Sequence, residues 1–165
     1  TSGEQGGGVY LKGGVLANAL ILSNKTTSAA GVWQEGGTMI NCTVADNVAT
    51  KDDGFQVVSS SGKSYNNLFA GDTEHAASIA DAVTRAGNRA GTKAELFSGR
   101  KSKAYHLKAG SPAVDAGDNA AVEECGLTTD LDGNDRIWLK GRRKDAAVDA
   151  GCYEFTSVGT MVIVR

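Results

Sequence analysis

The stretch GVWQEGGTMINCTVADN, residues 31–47, has a copy 23 residues earlier in the chain, GVYLKGGVLANALILSN at residues 8–24. The copies share their glycine pairs and two asparagines, because Asn18 aligns with Asn41 and Asn24 with Asn47. A third, partial copy follows as GFQVV from Gly54 and, after two inserted residues, NNLFAGD from Asn66. A period near 23 residues with glycine and asparagine at fixed places predicts a solenoid.

Each copy divides into short runs that alternate between apolar and polar residues and are separated by Gly-Gly or asparagine. Such strands are too short to be stable alone and must stack on their copies. We expect Asn18, Asn41 and Asn66 to lie in register at one turn, because asparagine tolerates the left-handed conformation and its amide can bond the copy above or below. The predicted fold is all-β, a right-handed parallel β-helix of about three to four coils closed by an irregular C-terminal cap.

We assign residues 1–93 to the coils and residues 94–165 to the last coil and the capping region. The segment SSSGKS, residues 59–64, is expected to absorb the two inserted residues. Residues 74–87 leave two interpretations open, a protruding loop or short helix, or the strands of a fourth coil with a turn at Asn88. The chain opens directly onto a coil and without a methionine, so we expect further N-terminal coils in the same protein.

Composition narrows the class of protein. The chain has 22 glycines but a single proline, which suits a β-rich repeat with many tight turns. Its net charge of −2 gives no general field for nucleic acid. No apolar run is long enough for a membrane-spanning helix.

Three strings in the C-terminal part carry a resemblance to a known family: SPAVDAGDN at 111–119, TDLDGNDR at 129–136 and VDAGCYEF at 148–155. They resemble the C-terminal signature of bacterial secreted β-helix proteins called the choice-of-anchor Q domain, and NCTVADN resembles polymorphic outer-membrane repeats. The resemblance implies a bacterial protein that is secreted, on the cell surface or in the periplasm. It implies no reaction, because such families include adhesins and carbohydrate-active enzymes.

The first strand of each coil holds the candidate ligand-binding residues. Stacking at the expected register places Tyr10 over Trp33 and Gln56, and Lys12 over Glu35 and Val58. An outward ladder of Tyr10 and Trp33 beside Glu35 suits the face of a sugar and its hydroxyl groups. Glu35 and Asp53 are weak catalytic candidates, since neighbouring coils are about 4.8 Å apart and glycosidases need carboxylates about 5–10 Å apart. Lys12 is a weak candidate for the cation of a lyase. A ladder without catalysis is the interpretation we favour.

Asp130, Asp132 and Asn134 place oxygen atoms around one glycine, as calcium loops do. The same residues are also typical of an ordinary turn, which we favour over calcium because the glutamate of an EF-hand is missing.

Cys125 and Cys152 both lie in the C-terminal part, and two interpretations stay open: a disulfide in an oxidising compartment, or two separate buried thiols. The basic segment that begins at Arg136 and continues through Lys144 is interpreted as a solvated loop rather than a polyanion site.

These observations lead to three hypotheses. The favoured one is a non-catalytic structural and binding segment of a secreted or cell-surface protein that engages polysaccharide. The second is the C-terminal part of a polysaccharide lyase or glycoside hydrolase, and the third is an adhesin.

Overall fold

A computed structural model describes residues 6–50, 55–71, 76–137 and 146–156. The chain is an all-β parallel solenoid, as the repeat predicts. In chain order its elements are β1 (Val9–Leu11), β2 (Val15–Ala17), β3 (Leu20–Leu22), β4 (Lys25–Thr26), β5 (Val32–Gln34), β6 (Thr38–Ile40), β7 (Thr43–Ala45), β8 (Val48–Ala49), β9 (Val57–Ser59), β10 (Lys63–Tyr65), β11 (Leu68–Ala70), β12 (Ala77–Ile79), β13 (Thr84–Ala86), β14 (Arg89–Gly91), α1 (Lys93–Leu96) and α2 (Asn119–Glu124). A 3-10 turn spans Lys101–Lys103.

Three parallel sheets of four strands run along the solenoid. Sheet 1 has the order β1-β5-β9-β12, sheet 2 the order β2-β6-β10-β13, and sheet 3 the order β3-β7-β11-β14. The short strands β4 and β8 form a fourth, two-stranded sheet. Each full coil thus contributes one strand to each of the three long sheets. Stacking on neighbouring coils gives these strands a stability that three residues alone could not provide.

The register confirms the repeat between the first two coils and corrects it for the third. Val9 pairs with Val32, as the 23-residue period requires. Trp33 pairs with Val58 rather than with Gln56. The reason is that the two extra residues lie before β9. Thr26 still pairs with Ala49, 23 residues later, whereas the N–H of Ala30 already bonds the carbonyl of Phe55, 25 residues later. The segment 59–64 therefore does not absorb the insertion.

The fourth coil replaces the helix that the spacing of residues 74–87 left open. Residues 76–87 contain β12 and β13, which pair with β9 and β10 of the third coil. Residues 74 and 75 lie outside the described part. Asn88 lies at the following turn, and its side-chain oxygen accepts a hydrogen bond from the backbone of Asn67 at 2.8 Å.

At the turn between sheets 2 and 3, one residue of each of the four coils has a left-handed backbone conformation. Asn18, Asn41 and Asn66 have φ of 50°, 49° and 52°, and Gly87 takes the same place in the fourth coil with φ of 66°. The expected asparagine ladder is therefore in register. Its side chains bond mainly to the C-terminal region rather than to one another, with a contact of 3.4 Å between Asn66 Nδ2 and Asn41 Oδ1.

The interior of the solenoid is a slim apolar core. Its buried residues come from all three long sheets and from positions beside their strands: Leu11, Ile21, Val32, Met39, Cys42, Val44, Val57, Phe69 and Ala76. Several buried polar side chains also enter the interior, and Gln34 among them is satisfied. Its Nε2 donates to the carbonyl of Lys63 at 3.0 Å, and its Oε1 accepts from Ser59 Oγ at 2.9 Å.

The described C-terminal region lies along the side of the coils rather than over the end of the stack. Leu96, Leu107 and Ala150 pack on the outer face of sheet 3 around Leu68. Another group packs on the outer face of sheet 2: Ala121, Val122 and Val148 meet Ile40 and Tyr65. The cap expected from the sequence is thus a lateral cover, because the outward residues of sheets 2 and 3 are apolar and need burial.

Candidate functional site

The outer face of sheet 1 holds the predicted ligand-binding residues. Each strand presents one outward side chain, and the four form a ladder of Tyr10, Trp33, Val58 and Ser78. Tyr10 is 51% exposed. None of the three hydrophobic clusters among the described residues includes these four side chains, so the ladder is not part of the core.

Glu35 joins the two aromatic residues of this ladder. Its Oε2 accepts a hydrogen bond from the Tyr10 hydroxyl at 2.5 Å, and its Oε1 accepts one from Trp33 Nε1 at 3.0 Å. The hydrogen bonds from Tyr10 and then Trp33 lower the pKa of Glu35, with a smaller contribution from the charge of Lys12. Tyr10, Trp33, Glu35 and Lys12 therefore form one group, which we call the sheet 1 face.

Glu35 is a carboxylate at neutral pH and is held by two aromatic donors. A lowered pKa suits an acceptor of hydrogen bonds and is the wrong direction for a general acid. The proposed pairing of Glu35 with Asp53 falls outside the described residues. The residue of the third coil that stacks on Lys12 and Glu35 is Ser60, not the expected Val58, because the N–H of Ser60 bonds the carbonyl of Gln34.

The loop at residues 130–134 is built around the carboxylate of Asp130. Asp130 Oδ1 accepts from the backbone N–H groups of Asp132 and Asn134 at 2.9 and 2.8 Å. Its Oδ2 accepts from Asn134 Nδ2 at 3.0 Å and from the N–H of Glu154 at 2.9 Å. All four contacts are donors that a cation would have to displace.

The carboxylate of Asp132 is already engaged elsewhere, because its Oδ2 lies 2.7 Å from His106 Nε2. Within the described residues there is no group of three or more His, Cys, Asp or Glu that could hold a metal ion. The geometry of Asp130, Asp132 and Asn134 is that of a structural turn.

Of the two interpretations left open for Cys125 and Cys152, the structure has two separate thiols, and both are free. Cys125 belongs to the cluster on sheet 2. Cys152 is buried, and its N–H bonds Thr43 Oγ1 at 3.0 Å on sheet 3. The two thiols thus occupy different packing environments, and burial raises the pKa of Cys152 to about 11.

A buried polar cluster was not found from the sequence. Arg136, interpreted as part of a solvated basic loop, is 1% exposed. Its Nη1 donates to Glu154 Oε1 at 2.8 Å and to the Gly151 carbonyl at 3.0 Å, and its Nη2 donates to Asn18 Oδ1 at 2.5 Å. Lys140 and the rest of that basic segment lie outside the described residues.

Asp149 completes this cluster. Its Oδ1 accepts from the N–H of Asp115 at 2.6 Å, and its Oδ2 accepts from the N–H of Phe155 at 2.5 Å. Burial raises the pKa of Asp149 to about 6 and that of Glu154 to about 8, and the charge of Asp149 adds to the rise at Glu154. The bond from Arg136 to Asn18 joins this cluster to the first coil, so it helps to fix the C-terminal region on the coils. The one sequence signal for it was that its members lie in the strings TDLDGNDR and VDAGCYEF.

None of the helices among the described residues is long and apolar enough to cross a membrane. Comparison with protein-family models, with curated proteins and with solved structures finds no match to this chain. The class of protein is therefore given by the fold, a parallel β-solenoid. The resemblance to the choice-of-anchor Q domain stays a prediction from the sequence.

Proposed function

We propose that this chain is a non-catalytic, polysaccharide-binding segment of a secreted or cell-surface β-solenoid protein. The observation that supports it is the sheet 1 face, where one carboxylate accepts hydrogen bonds from both Tyr10 and Trp33. The location outside the cytoplasm is suggested by the resemblance of the C-terminal strings.

The sheet 1 face has the two parts that recognition of a sugar needs. The exposed ring of Tyr10 and the partly exposed ring of Trp33 offer an apolar surface for the C–H face of a pyranose ring. Glu35 offers a charged acceptor to hydroxyl groups at the edge of that surface, and charge-assisted hydrogen bonds are stronger than neutral ones. The hydrogen bonds from Tyr10 and Trp33 hold the carboxylate in place before a ligand binds, which reduces the entropy lost on binding.

The protonation state of Glu35 does not suit the general acid of a glycoside hydrolase. Glycoside hydrolysis needs one carboxylic acid whose pKa is raised so that it can give a proton to the leaving group. The pKa of Glu35 is lowered instead. Lys12 contributes to this lowering and stays beside the carboxylate as a second polar contact for a ligand.

A glycan array with the whole chain, followed by titration of each hit, tests the proposal. Trp138→Phe serves as the reference protein, because Trp33 is then the only tryptophan and its fluorescence reports on the site. We expect Tyr10→Ala to weaken binding roughly tenfold, by loss of the ring and of one hydrogen bond to Glu35. Val48→Ala is the matched control, since Val48 is 53% exposed on β8 and not part of the sheet 1 face.

Two results would count against the proposal. One is that no glycan changes the fluorescence of Trp33. The other is that Tyr10→Ala binds a hit as tightly as Val48→Ala does. Release of shortened or unsaturated sugars during long incubation would replace it with the lyase or hydrolase hypothesis.

A further inference from the structure

A cleft of about 560 Å³ lies in the C-terminal region, and its lining shares no residue with the sheet 1 face. The lining residues come from two segments, 98–109 and 154–156. Its size falls within the range of about 300–1,000 Å³ that is usual for small-ligand sites.

The cleft is basic although the chain as a whole is slightly acidic. Arg100, Lys103, His106 and Lys108 line it, and residues 98–109 contain no Asp or Glu. In the described part of the chain, Arg100 and Lys103 form no ion pair with an acidic side chain, and both are exposed. With no ion-pair partner among the described residues, these two cations leave their charge available to a ligand.

The acidic groups near the cleft are already engaged. Glu154 lines it but is 4% exposed, and its carboxyl group accepts hydrogen bonds from Arg136 and from the N–H of Asp149. Asp132 contacts His106 at 2.7 Å. Lys108 donates to the carbonyl of Ala94, which directs its side chain towards α1. Arg100 and Lys103 are therefore the cations that a ligand would reach.

The wall of the cleft is held in place before any ligand binds. Ser98 bonds the carbonyl of His106 at 2.9 Å, and its hydroxyl donates to the carbonyl of Lys103 at 3.0 Å. The His106 ring stacks on Tyr153 with centroids 3.9 Å apart. Phe155 adds a further aromatic ring to the lining.

We propose that this cleft binds an acidic oligosaccharide, one that carries carboxylate or sulfate groups. Arg100 and Lys103 would hold the anionic groups, and the planar guanidinium of Arg100 matches a carboxylate or sulfate with two hydrogen bonds. The aromatic wall at His106 and Phe155 suits the apolar face of a sugar ring. A phosphate polymer is the less suitable occupant, because it needs a longer positive track than the two available cations of the cleft supply.

Calorimetry with the whole chain tests this assignment. The probes are a short sulfated heparin fragment and an oligogalacturonate, a neutral cello-oligosaccharide of equal length, and a short single-stranded DNA. The double variant Arg100→Gln/Lys103→Gln removes the two available cations. Lys25→Gln/Arg89→Gln is the matched control, since it removes two exposed cations elsewhere and changes the net charge equally.

We expect the acidic sugars to bind and the neutral one not to. The cleft variant should bind roughly tenfold more weakly or worse, the control within about twofold of the wild type, and the affinity should fall as salt is raised. Tyr10→Ala should leave this binding unchanged, so failure here is distinct from failure of the sheet 1 face. Equal loss in both double variants, equal binding of the neutral sugar, tighter binding of DNA, or no binding of any acidic sugar would each overturn the proposal.

Discussion

Asn66 holds the C-terminal region against the coils through its side chain and bends the backbone at the same time. It is fully buried with a left-handed φ of 52°. Its Oδ1 accepts from the N–H of Asp118 at 2.7 Å, and its Nδ2 donates to the carbonyl of Asp118 at 3.0 Å. The side chain thus pairs with both backbone groups of one residue in the C-terminal region.

Two substitutions separate these two roles. Asn66→Gly keeps the left-handed turn but removes both hydrogen bonds to Asp118, which should lower the free energy of unfolding by about 2–4 kcal/mol. Asn66→Ala removes the same bonds and, unlike glycine, keeps a Cβ in the left-handed region without the polar side chain that lets asparagine tolerate it, which should cost about 1 kcal/mol more than Asn66→Gly. For a chain of this size, 1 kcal/mol corresponds to about 2–4 °C, so Asn66→Gly should melt roughly 10 °C lower.

The assay is urea unfolding monitored by circular dichroism, and the melting temperature is a second measure of stability. Ser23→Ala is the control, because Ser23 has a similar φ of 57° but is exposed, and we expect a change below about 0.5 kcal/mol. A wild-type stability for Asn66→Gly would refute the view that these hydrogen bonds hold the C-terminal region. A stability of Asn66→Ala equal to or above that of Asn66→Gly would refute the conformational part of the argument.

Two further predictions follow from the buried acids and the left-handed turns. Burial raises the pKa of Asp149 to about 6 and that of Glu154 to about 8, so both bind protons more tightly in the folded than in the unfolded chain. Their contribution to stability should be complete below about pH 4 and be lost as pH rises through about 6 and then about 8. Urea midpoints measured across this pH range check the prediction. Glu154→Gln should remove most of the fall in midpoint between about pH 6 and pH 8. A wild-type midpoint that rises with pH would contradict the prediction. Ser23→Gly should raise the free energy of unfolding by up to about 1 kcal/mol, because it relieves a left-handed conformation at an exposed site, and a lower urea midpoint would be the opposite result.

The repeat made the first two coils predictable residue by residue, and the third only in part. Identical spacing placed Tyr10 beside Trp33 and Lys12 beside Glu35 without any structural knowledge. The pairing of Trp33 with Val58 was missed because the position of a two-residue insertion is not visible when strands are three residues long. Both Gln56 and Val58 fit an outward position, so the pattern alone could not choose between them.

The buried cluster around Arg136 was less accessible to sequence reasoning. A run of cations is usually solvated, and that rule was applied to the whole segment that starts at Arg136. The structure separates this arginine from the rest because Glu154 and Asn18 reach it from distant parts of the chain. The sequence left the state of Cys125 and Cys152 open for a related reason, since closeness in the sequence does not decide which packing environment each thiol enters.

Contacts at the left-handed turn between sheets 2 and 3 explain why asparagine, rather than glycine, recurs there in the first three coils. Either residue tolerates the left-handed conformation, but only asparagine can also bond the C-terminal region: Asn18 bonds Thr129, and Asn41 bonds Asp149 and Gly151. In the fourth coil the requirement reverses, because a Cβ at Gly87 would lie 2.1 Å from Asn66 Oδ1. The asparagine ladder therefore serves to dock the C-terminal region as well as to turn the chain. That docking covers the outer faces of sheets 2 and 3, which is the physical reason to look for a ligand on the outer face of sheet 1.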